Sequence, residues 1–471
     1  MAPDDVDGDR RLLHKSRSVW PVYETSGMAQ SFLSCDREQD FLMPPSVREW
    51  LPEGHLAWYL LDVVERLDLD AFYGEYRSDG SGRPAHDPAM MVALVLYAYC
   101  VGERSSRQIE RRCVEDVPFR VIAANRAPDH TTIARFRKRH ARRLAQLFVQ
   151  VLAMCAKAGM VRVGTVAVDG TKIAADAGLS ANRSYEKIRR EVERILAEAD
   201  EIDAAEDERF GDARGDELPA ELADPVTRRE RLERAKRELE AEQAARVAEH
   251  EAMLARRAQH VERTGRNPRG RPPGDGPGPQ PPADAKRNIT DPDSRIMHAR
   301  GAHVQAYNAQ ALVGENRVIL AADITTSPND SNQLMPMLES ARANLQAIGH
   351  DEKIKCVLAD GGYWNHDDIA AVRQSAVVVI PTSDPHHTNR KQAPRQGPEA
   401  DRINKILATA AGKRLYRRRA ELVEPVFAHT KHTRGITRFS RRGDPAVRAE
   451  WRLIATTHNL LKLFRYQPQI A

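Results

Sequence analysis

The chain has 471 residues, of which 41% are apolar, and a formal net charge of +5. This length predicts more than one domain, with enough apolar residues for ordinary hydrophobic cores. No apolar run approaches the roughly 18–20 residues of a membrane span, the amino terminus lacks the apolar segment of a secretory signal, and the five cysteines form no disulfide framework or zinc cluster. We therefore expect a cytoplasmic protein with no membrane partner.

Residues 1–30 are polar and without periodicity, which predicts a disordered extension. Residues 31–160 show helical apolar spacing punctuated by prolines, which predicts an α-helical domain. Its last helix is expected to begin at Asp129 or Thr131 and to bury an apolar stripe that starts at Ile133.

This helix belongs to a basic stretch. Residues 104–143 contain 12 Lys and Arg against 4 Asp and Glu. Such a concentration of charge fits a nucleic-acid phosphate backbone, and a solvated helix face is the alternative. The side chains that we expect to contact DNA from the basic face are Arg135, Lys138, Arg139 and Arg142.

Residues 161–181 contain a strand that is expected to end at Asp169, and the composition then changes. Residues 182–287 are rich in Glu, Arg and Ala, with a long helical run from Arg228 to Arg263, which predicts a charged helical insertion folded as a hairpin or partial coiled coil. Its last part, Asn267 to Ala283, is rich in proline and glycine and predicts a flexible linker.

Strands and helices alternate in residues 288–471, and the region from 386 onward contains 19 Lys and Arg against 6 Asp and Glu. The expected elements are a hairpin of strands Val304–Val313 and Arg317–Asp323, a helix over Ser331–Leu345, a strand over Ile354–Ala359, a helix over His366–Gln374, a strand over Val377–Ile380, and helices between Ala400 and Phe464. With the strand before the insertion, the order is β, insertion, β, β, α, β, α, β, α.

Three carboxylates stand out against this order. Asp169 and Asp360 each follow a short apolar run and precede glycine, so we expect each at the end of a strand, whereas Glu424 lies in a helical pattern among arginines. Two divalent cations about 3.5–4 Å apart need several hard oxygen ligands, which three acidic side chains can supply. A single aspartate after a strand is otherwise a turn former.

The order of these acids resembles that of the DDE transposases, whose RNase H-like fold has the first acid after the first strand, the second after the fourth strand and the third on a late helix. The resemblance is closest to bacterial insertion-sequence transposases with a Tyr-Arg-Glu-Lys signature, which Tyr416, Arg419, Glu424 and Lys431 match in order. The gap between Arg419 and Glu424 is one residue longer than in the commonest form. Further similar stretches are Pro128–Arg137, Asn288–Met297 and Asn329-Asp330.

The resemblance implies an α/β fold, an RNase H-like mixed sheet with flanking helices, preceded by an all-α domain and interrupted by the charged insertion. It implies a transposase that cleaves and joins DNA at insertion-sequence ends, with two Mg²⁺ ions, replaceable by Mn²⁺, held by Asp169, Asp360 and Glu424. Lys431 and Arg419 would then contact DNA, and Tyr416 would either stack on a base or pack. Its implied partners are double-stranded DNA, as terminal inverted repeats and target, and further copies of the chain on that DNA, in a nucleoid-associated cytoplasmic protein.

Two other functions remain as alternatives: an RNase H-like DNA nuclease without strand transfer, and an inactive DNA-binding transposon remnant. Within the site, Glu421 competes with Glu424 but lacks the family's spacing to Lys431. Asp330 is expected to cap the helix that follows Pro328, with a supporting role at the site as the alternative.

Overall fold

The computed structural model describes residues 46–76, 85–195, 197, 223–267, 273–299, 301–382 and 395–466. Its described residues from Val47 onward belong to one compact unit. None of the helices among them combines the length and apolar character needed to cross a bilayer. The extension predicted over residues 1–30 lies outside the described residues.

The described residues before the main sheet are helical, as expected. Their α-helices are α1 (Leu56–Glu65), α2 (Asp70–Tyr73), α3 (Pro88–Cys100), α4 (Ser106–Glu115), α5 (Val117–Ile122), α6 (His130–Arg139) and α7 (Ala141–Lys157). Helix α3 is buried from Met91 to Cys100 and packs against α1 and against the last helix of the chain. A helix that is apolar on every face requires such enclosure.

The sequence predicts one continuous helix where the structure has α6 and α7. Asp129 caps α6, because its carboxylate accepts a hydrogen bond from the Thr131 backbone N–H at 2.6 Å. The two helices meet at His140, whose imidazole is fully buried against the rings of Phe72 and Phe136. This break depends on tertiary packing, and the apolar periodicity continues through it.

The charged insertion is confirmed as helical in its described part. It contains strands β2 (Asn182–Ser184) and β3 (Lys286–Asn288), which pair antiparallel, a helix α8 over residues 185–195, and the long helix α9 (Ala223–Thr264). Helices α8 and α9 share a small apolar core that includes Ile188, Leu232 and Leu239. The insertion therefore has a packed base, and its sparse apolar residues are concentrated there.

The Pro/Gly-rich segment, predicted to be a flexible linker, contacts α9 in its described part. In its described part, residues 273–283, the carbonyl of Gly278 accepts a hydrogen bond from the Gln243 side-chain amide of α9 at 2.6 Å, and Pro281 is buried. A segment without a regular hydrogen-bond ladder is thus joined to α9 by a side-chain amide.

The main sheet contains β1 (Thr165–Ala174), β4 (Arg295–Ala299), β5 (Ala302–Val313), β6 (Ile319–Thr325), β7 (Cys356–Leu358) and β8 (Val377–Val379). Its strand order is β4, β5, β1, β7, β8, with β6 also paired to β5. Strand β5 is antiparallel to its neighbours, whereas β1, β7 and β8 are parallel. This mixed α/β sheet is consistent with the expected RNase H-like fold, although β4 was not predicted.

The helices that follow the β5–β6 hairpin flank the sheet. They are α10 (Leu334–Ala347), α11 (His366–Arg373), α12 (Pro398–Ala408), α13 (Ala410–Ala428) and α14 (Asp444–Arg465). Helix α13 packs against β1 and β5, and α14 packs against β6, α3 and α7. The helices α3, α7 and α14 therefore join the amino-terminal helical region to the sheet.

Helix α13 ends irregularly. Pro425 lies inside it and cannot donate a hydrogen bond to the carbonyl of Glu421, which instead accepts one from the Arg317 guanidinium at 3.0 Å. A π-helical turn follows the helix. The sequence spacing alone predicts that Lys431 lies two regular α-helical turns beyond Glu424. Lys431 lies instead in the π-helical turn, where this regular spacing does not hold.

Candidate active site

The candidate site lies where two parallel strands separate. Strand β7 pairs with β1 only along Thr165–Ala167, and β1 continues beyond it. Asp169 stands two residues after this paired segment, and Asp360 stands two residues after the end of β7. Neighbouring parallel strands deliver such residues to one edge of the sheet. The sequence predicts that Asp169 ends its strand. In the structure β1 instead continues past Asp169, because it pairs with β5 as far as Ala174.

Asp169 is a partly buried carboxylate held from two sides. Its Oδ1 accepts a hydrogen bond from the Gly170 N–H and its Oδ2 accepts one from Arg419 Nη1, both at 2.8 Å. Burial, aided by the charges of Asp360 and Asp330, raises the pKa of Asp169 to about 7 against the opposing charge of Arg419. Asp169 therefore lies close enough to Asp360 and Asp330 for their charges to act on it.

Asp360 begins a short 3₁₀ turn, Gly361–Tyr363. Its Oδ1 accepts a hydrogen bond from the Gly362 N–H at 2.8 Å. This is the turn-forming role that the sequence leaves open for an aspartate after a strand. A carboxylate has about four acceptor positions, so this turn-forming bond is compatible with a ligand role.

Asp330 is the third of these carboxylates. Its Oδ1 accepts hydrogen bonds from Asn308 Nδ2 and Gln310 Nε2, both at 2.7 Å, and lies 3.7 Å from Lys172 Nζ. The prediction that Asp330 caps the next helix is wrong, because Gln333 holds the cap position of α10. Asn308 and Gln310 are alternate residues of β5, so their amides lie on one face of the sheet. This alternation of amide residues is the sequence signal that could have pointed to the carboxylate cluster.

Two glycines allow the backbone to pass beside these carboxylates. A Cβ on Gly170 would lie 2.5 Å from Asp330 Oδ1. A Cβ on Gly362 would lie 3.0 Å from Asp360 Oδ1 and 3.6 Å from Asp330 Oδ2. Gly170, directly after Asp169, and Gly362, two residues after Asp360, therefore mark points of close approach, where a larger residue would force the cluster apart.

Helix α13 and the π-helical turn after it bring basic side chains to β1. Arg419 forms the ion pair with Asp169, and each of these side chains is 15% exposed. Lys431 Nζ donates hydrogen bonds to the hydroxyl of Thr171 and to the carbonyl of Lys172, the latter at 3.0 Å. Both basic residues predicted from the signature thus reach the strand that carries the first aspartate.

The other two signature residues are placed differently. Tyr416 is partly buried, and burial, aided by the charge of Asp360, raises the pKa of its hydroxyl. Glu424 is exposed. Among the residues described, no three His, Cys, Asp or Glu side chains form a metal-binding group. The structure brings Asp169 to Asp360, but it shows no contact between Glu424 and either of them.

The predicted DNA-binding residues of the helical region lie apart from these carboxylates. Arg135, Lys138 and Arg139 are exposed on α6, and Arg142 is exposed in the first turn of α7. Arg139 also lies over the Tyr76 ring. Exposed cations on two successive helices retain the basic surface that the sequence predicts.

Two family models match the chain. One, described as a Transposase domain (DUF772), matches residues 45–139, and the other, described as a Transposase DDE domain, matches residues 273–460. No curated protein and no solved structure matches it. The first match spans α1 to α6, and the second includes both Asp360 and Glu424. The two matches together cover more than half of the chain, which belongs to the DDE transposases of insertion sequences.

Proposed function

We propose that the chain cleaves DNA at the ends of an insertion sequence and joins them to target DNA, with Asp169, Asp360 and Glu424 as its catalytic carboxylates. The observation that carries this proposal is the approach of Asp169 to Asp360 where β1 and β7 separate, in surroundings that raise the pKa of Asp169 to about 7. Carboxylates that repel one another in a partly buried site favour a divalent cation.

The side chains around this cluster fit hard cations. Besides the carboxylate oxygens, the site contains Asn308 Oδ1, which is buried and has no hydrogen-bond partner among the described residues. Mg²⁺ prefers oxygen ligands and needs few carboxylates, because it keeps part of its water shell. We infer that Asp169, Asp360 and Glu424 hold two Mg²⁺ ions, for which Mn²⁺ can substitute. When bound, such ions activate the attacking oxygen and stabilise charge on the leaving oxygen.

Arg419 competes with any cation for Asp169, since its Nη1 lies 2.8 Å from Asp169 Oδ2. If Asp169 held a cation, the guanidinium of Arg419 would lose this partner, and its donors could bind phosphate oxygens. Glu424 lies five residues after Arg419 on α13, about 7.5 Å along the helix axis and about 140° around it, and it is exposed. We infer its place among the ligands from its spacing to Lys431 in the signature.

The remaining signature residues would bind the DNA end. Lys431, anchored on β1, presents its ammonium group beside the cluster and suits a phosphate near the cleaved bond. Tyr416 would stack on a base or pack behind Arg419. We infer that the DNA is double-stranded, that copies of the chain assemble on it, and that the protein works at the nucleoid in the cytoplasm.

Joining of a pre-cleaved DNA end separates this proposal from its alternatives. The substrate is a duplex with the short inverted repeat that flanks the reading frame, cut to expose its 3′-hydroxyl, and incubated with Mg²⁺ and a target plasmid. We expect joined products. Nicking without joining would identify a nuclease, and DNA binding with neither reaction would identify an inactive remnant.

A further inference from the structure

A groove of about 680 Å³ lies between the helical region and the catalytic sheet, apart from the carboxylates. It is bounded by the end of α6, the first half of α7, α10, α14 and the edge strand β6. Five cationic side chains line it from two walls: Lys138, Arg139, Arg142, Arg448 and Arg452. They come from segments about 300 residues apart, so sequence inspection does not connect them.

The cations of this basic groove outnumber the carboxylates beside them. On the α14 wall, Arg448 forms ion pairs with Asp444, at 3.1 Å, and with Asp323, which also lies 3.8 Å from Arg452. Burial lowers the pKa of Arg448, and the charge of Arg452 lowers it further. An anion between the two guanidinium groups would relieve this repulsion.

The cations on the α6–α7 wall are more exposed and less fully ion-paired than those on the α14 wall. Arg139 lies 3.6 Å from Glu75 but remains 55% exposed. Lys138 and Arg142 are exposed and form no ion pair with any residue that the structure describes. Arg142 lies in the first turn of α7, and Pro445 and Ala446 in the first turn of α14 also line the groove. The positive ends of the α7 and α14 dipoles therefore add to the side-chain charge, and the negative end of α6 opposes them.

The groove is connected to the active site through the sheet. Asp323 of β6, which binds Arg448, is paired in register with Gln310 of β5, and Gln310 donates a hydrogen bond to Asp330 of the carboxylate cluster. Directly paired strand residues have Cα atoms about 4.5–5.5 Å apart. A phosphate chain leaving the carboxylates across the β6 edge would thus enter the groove.

We propose that this basic groove binds the phosphodiester backbone of duplex DNA that flanks the reacting bond. Its occupant is a polymer rather than a single phosphate, because the cations occupy two walls and continue on α6 to the exposed Arg135. The identity of the DNA rests on the proposed function, but binding in the groove requires neither a cation nor catalysis. The two can therefore be tested separately.

The test is fluorescence anisotropy of a labelled duplex of arbitrary sequence, in EDTA, over a series of salt concentrations. Lys138→Gln combined with Arg142→Gln is expected to weaken binding and to make the slope of log K against log salt shallower by about two, because about one counterion is released per phosphate contact. The matched control combines Arg256→Gln with Arg263→Gln, two exposed residues of α9, and should retain the wild-type slope.

A second variant on the opposite wall, Arg452→Gln, should make the slope shallower by about one. Circular dichroism verifies that every variant folds. Unchanged slopes for both groove variants, or equal losses in the α9 control, would overturn the proposal. Absence of nicking by the wild-type protein in Mg²⁺, with these slopes as expected, would refute the catalytic proposal and leave the proposed binding in the groove supported.

Discussion

Asp169→Asn and Asp360→Asn are each expected to lower the rate of Mg²⁺-dependent nicking of a terminal-repeat duplex by at least about a thousandfold. Asparagine keeps the size of the side chain but removes the charge that holds a cation, and loss of about 4 kcal/mol of transition-state stabilisation gives this factor. A gel assay of nicked product over time measures it. Asp367→Asn, an exposed carboxylate on α11, is the matched control and should retain wild-type activity.

The same nicking assay compares the contribution of Asp330 with those of Asp169 and Asp360. Since this carboxylate is oriented by Asn308 and Gln310 and faces Lys172, we expect it to position the cluster rather than to ligate directly. Asp330→Asn should therefore cost about 10–100-fold, the range for groups that support metal ligands, with part of the loss recovered at higher Mg²⁺. Full activity of Asp169→Asn or Asp360→Asn, with folding verified, would refute the catalytic assignment.

Glu424→Gln is expected to be as damaging as the aspartate variants, whereas Glu421→Gln should remain within about threefold of wild type. Both glutamates are exposed on α13, three residues apart, so the two substitutions remove the same charge from the same helix. The contact of Glu421 with Arg317 uses its backbone carbonyl and survives the change. The difference between the variants therefore reports on the active site rather than on folding.

Single-turnover nicking and thermal unfolding of the two variants provide the measurement. Equal activity of Glu424→Gln and wild type would show that the signature does not identify the third acid here. A large loss in Glu421→Gln with none in Glu424→Gln would move the assignment to the earlier residue. Because no contact joins Glu424 to Asp169 in the structure, this pair of variants tests directly whether Glu424 acts at the site.

Local patterns in the sequence predict much of the catalytic region. The β5–β6 hairpin, α10, α11 and β8 begin and end within a few residues of their expected positions, because each has a clear apolar period bounded by turn residues. The strand before Asp360 is also confirmed, although it is shorter than expected. Such signals are contained within each segment and need no knowledge of its neighbours.

Features that depend on distant partners could not be predicted in this way. The break at His140 follows from packing against Phe72 and Phe136, and the extension of β1 past Asp169 follows from pairing with β5. Asp330 enters the cluster through amides of another strand. Its position before a helix suggested a local capping role, and the tertiary hydrogen bonds replaced that role.

The most direct test of a metal-dependent carboxylate site is the nicking activity of Asp360→Cys in Mg²⁺ and in Mn²⁺. Thiolate is a poor ligand for Mg²⁺ and a better one for a softer cation. We predict that the variant is inactive in Mg²⁺ and that Mn²⁺ restores measurable nicking, whereas Asp367→Cys nicks equally in both. Wild-type activity of Asp360→Cys in Mg²⁺ would contradict a ligand role for Asp360 and with it the proposed catalytic site.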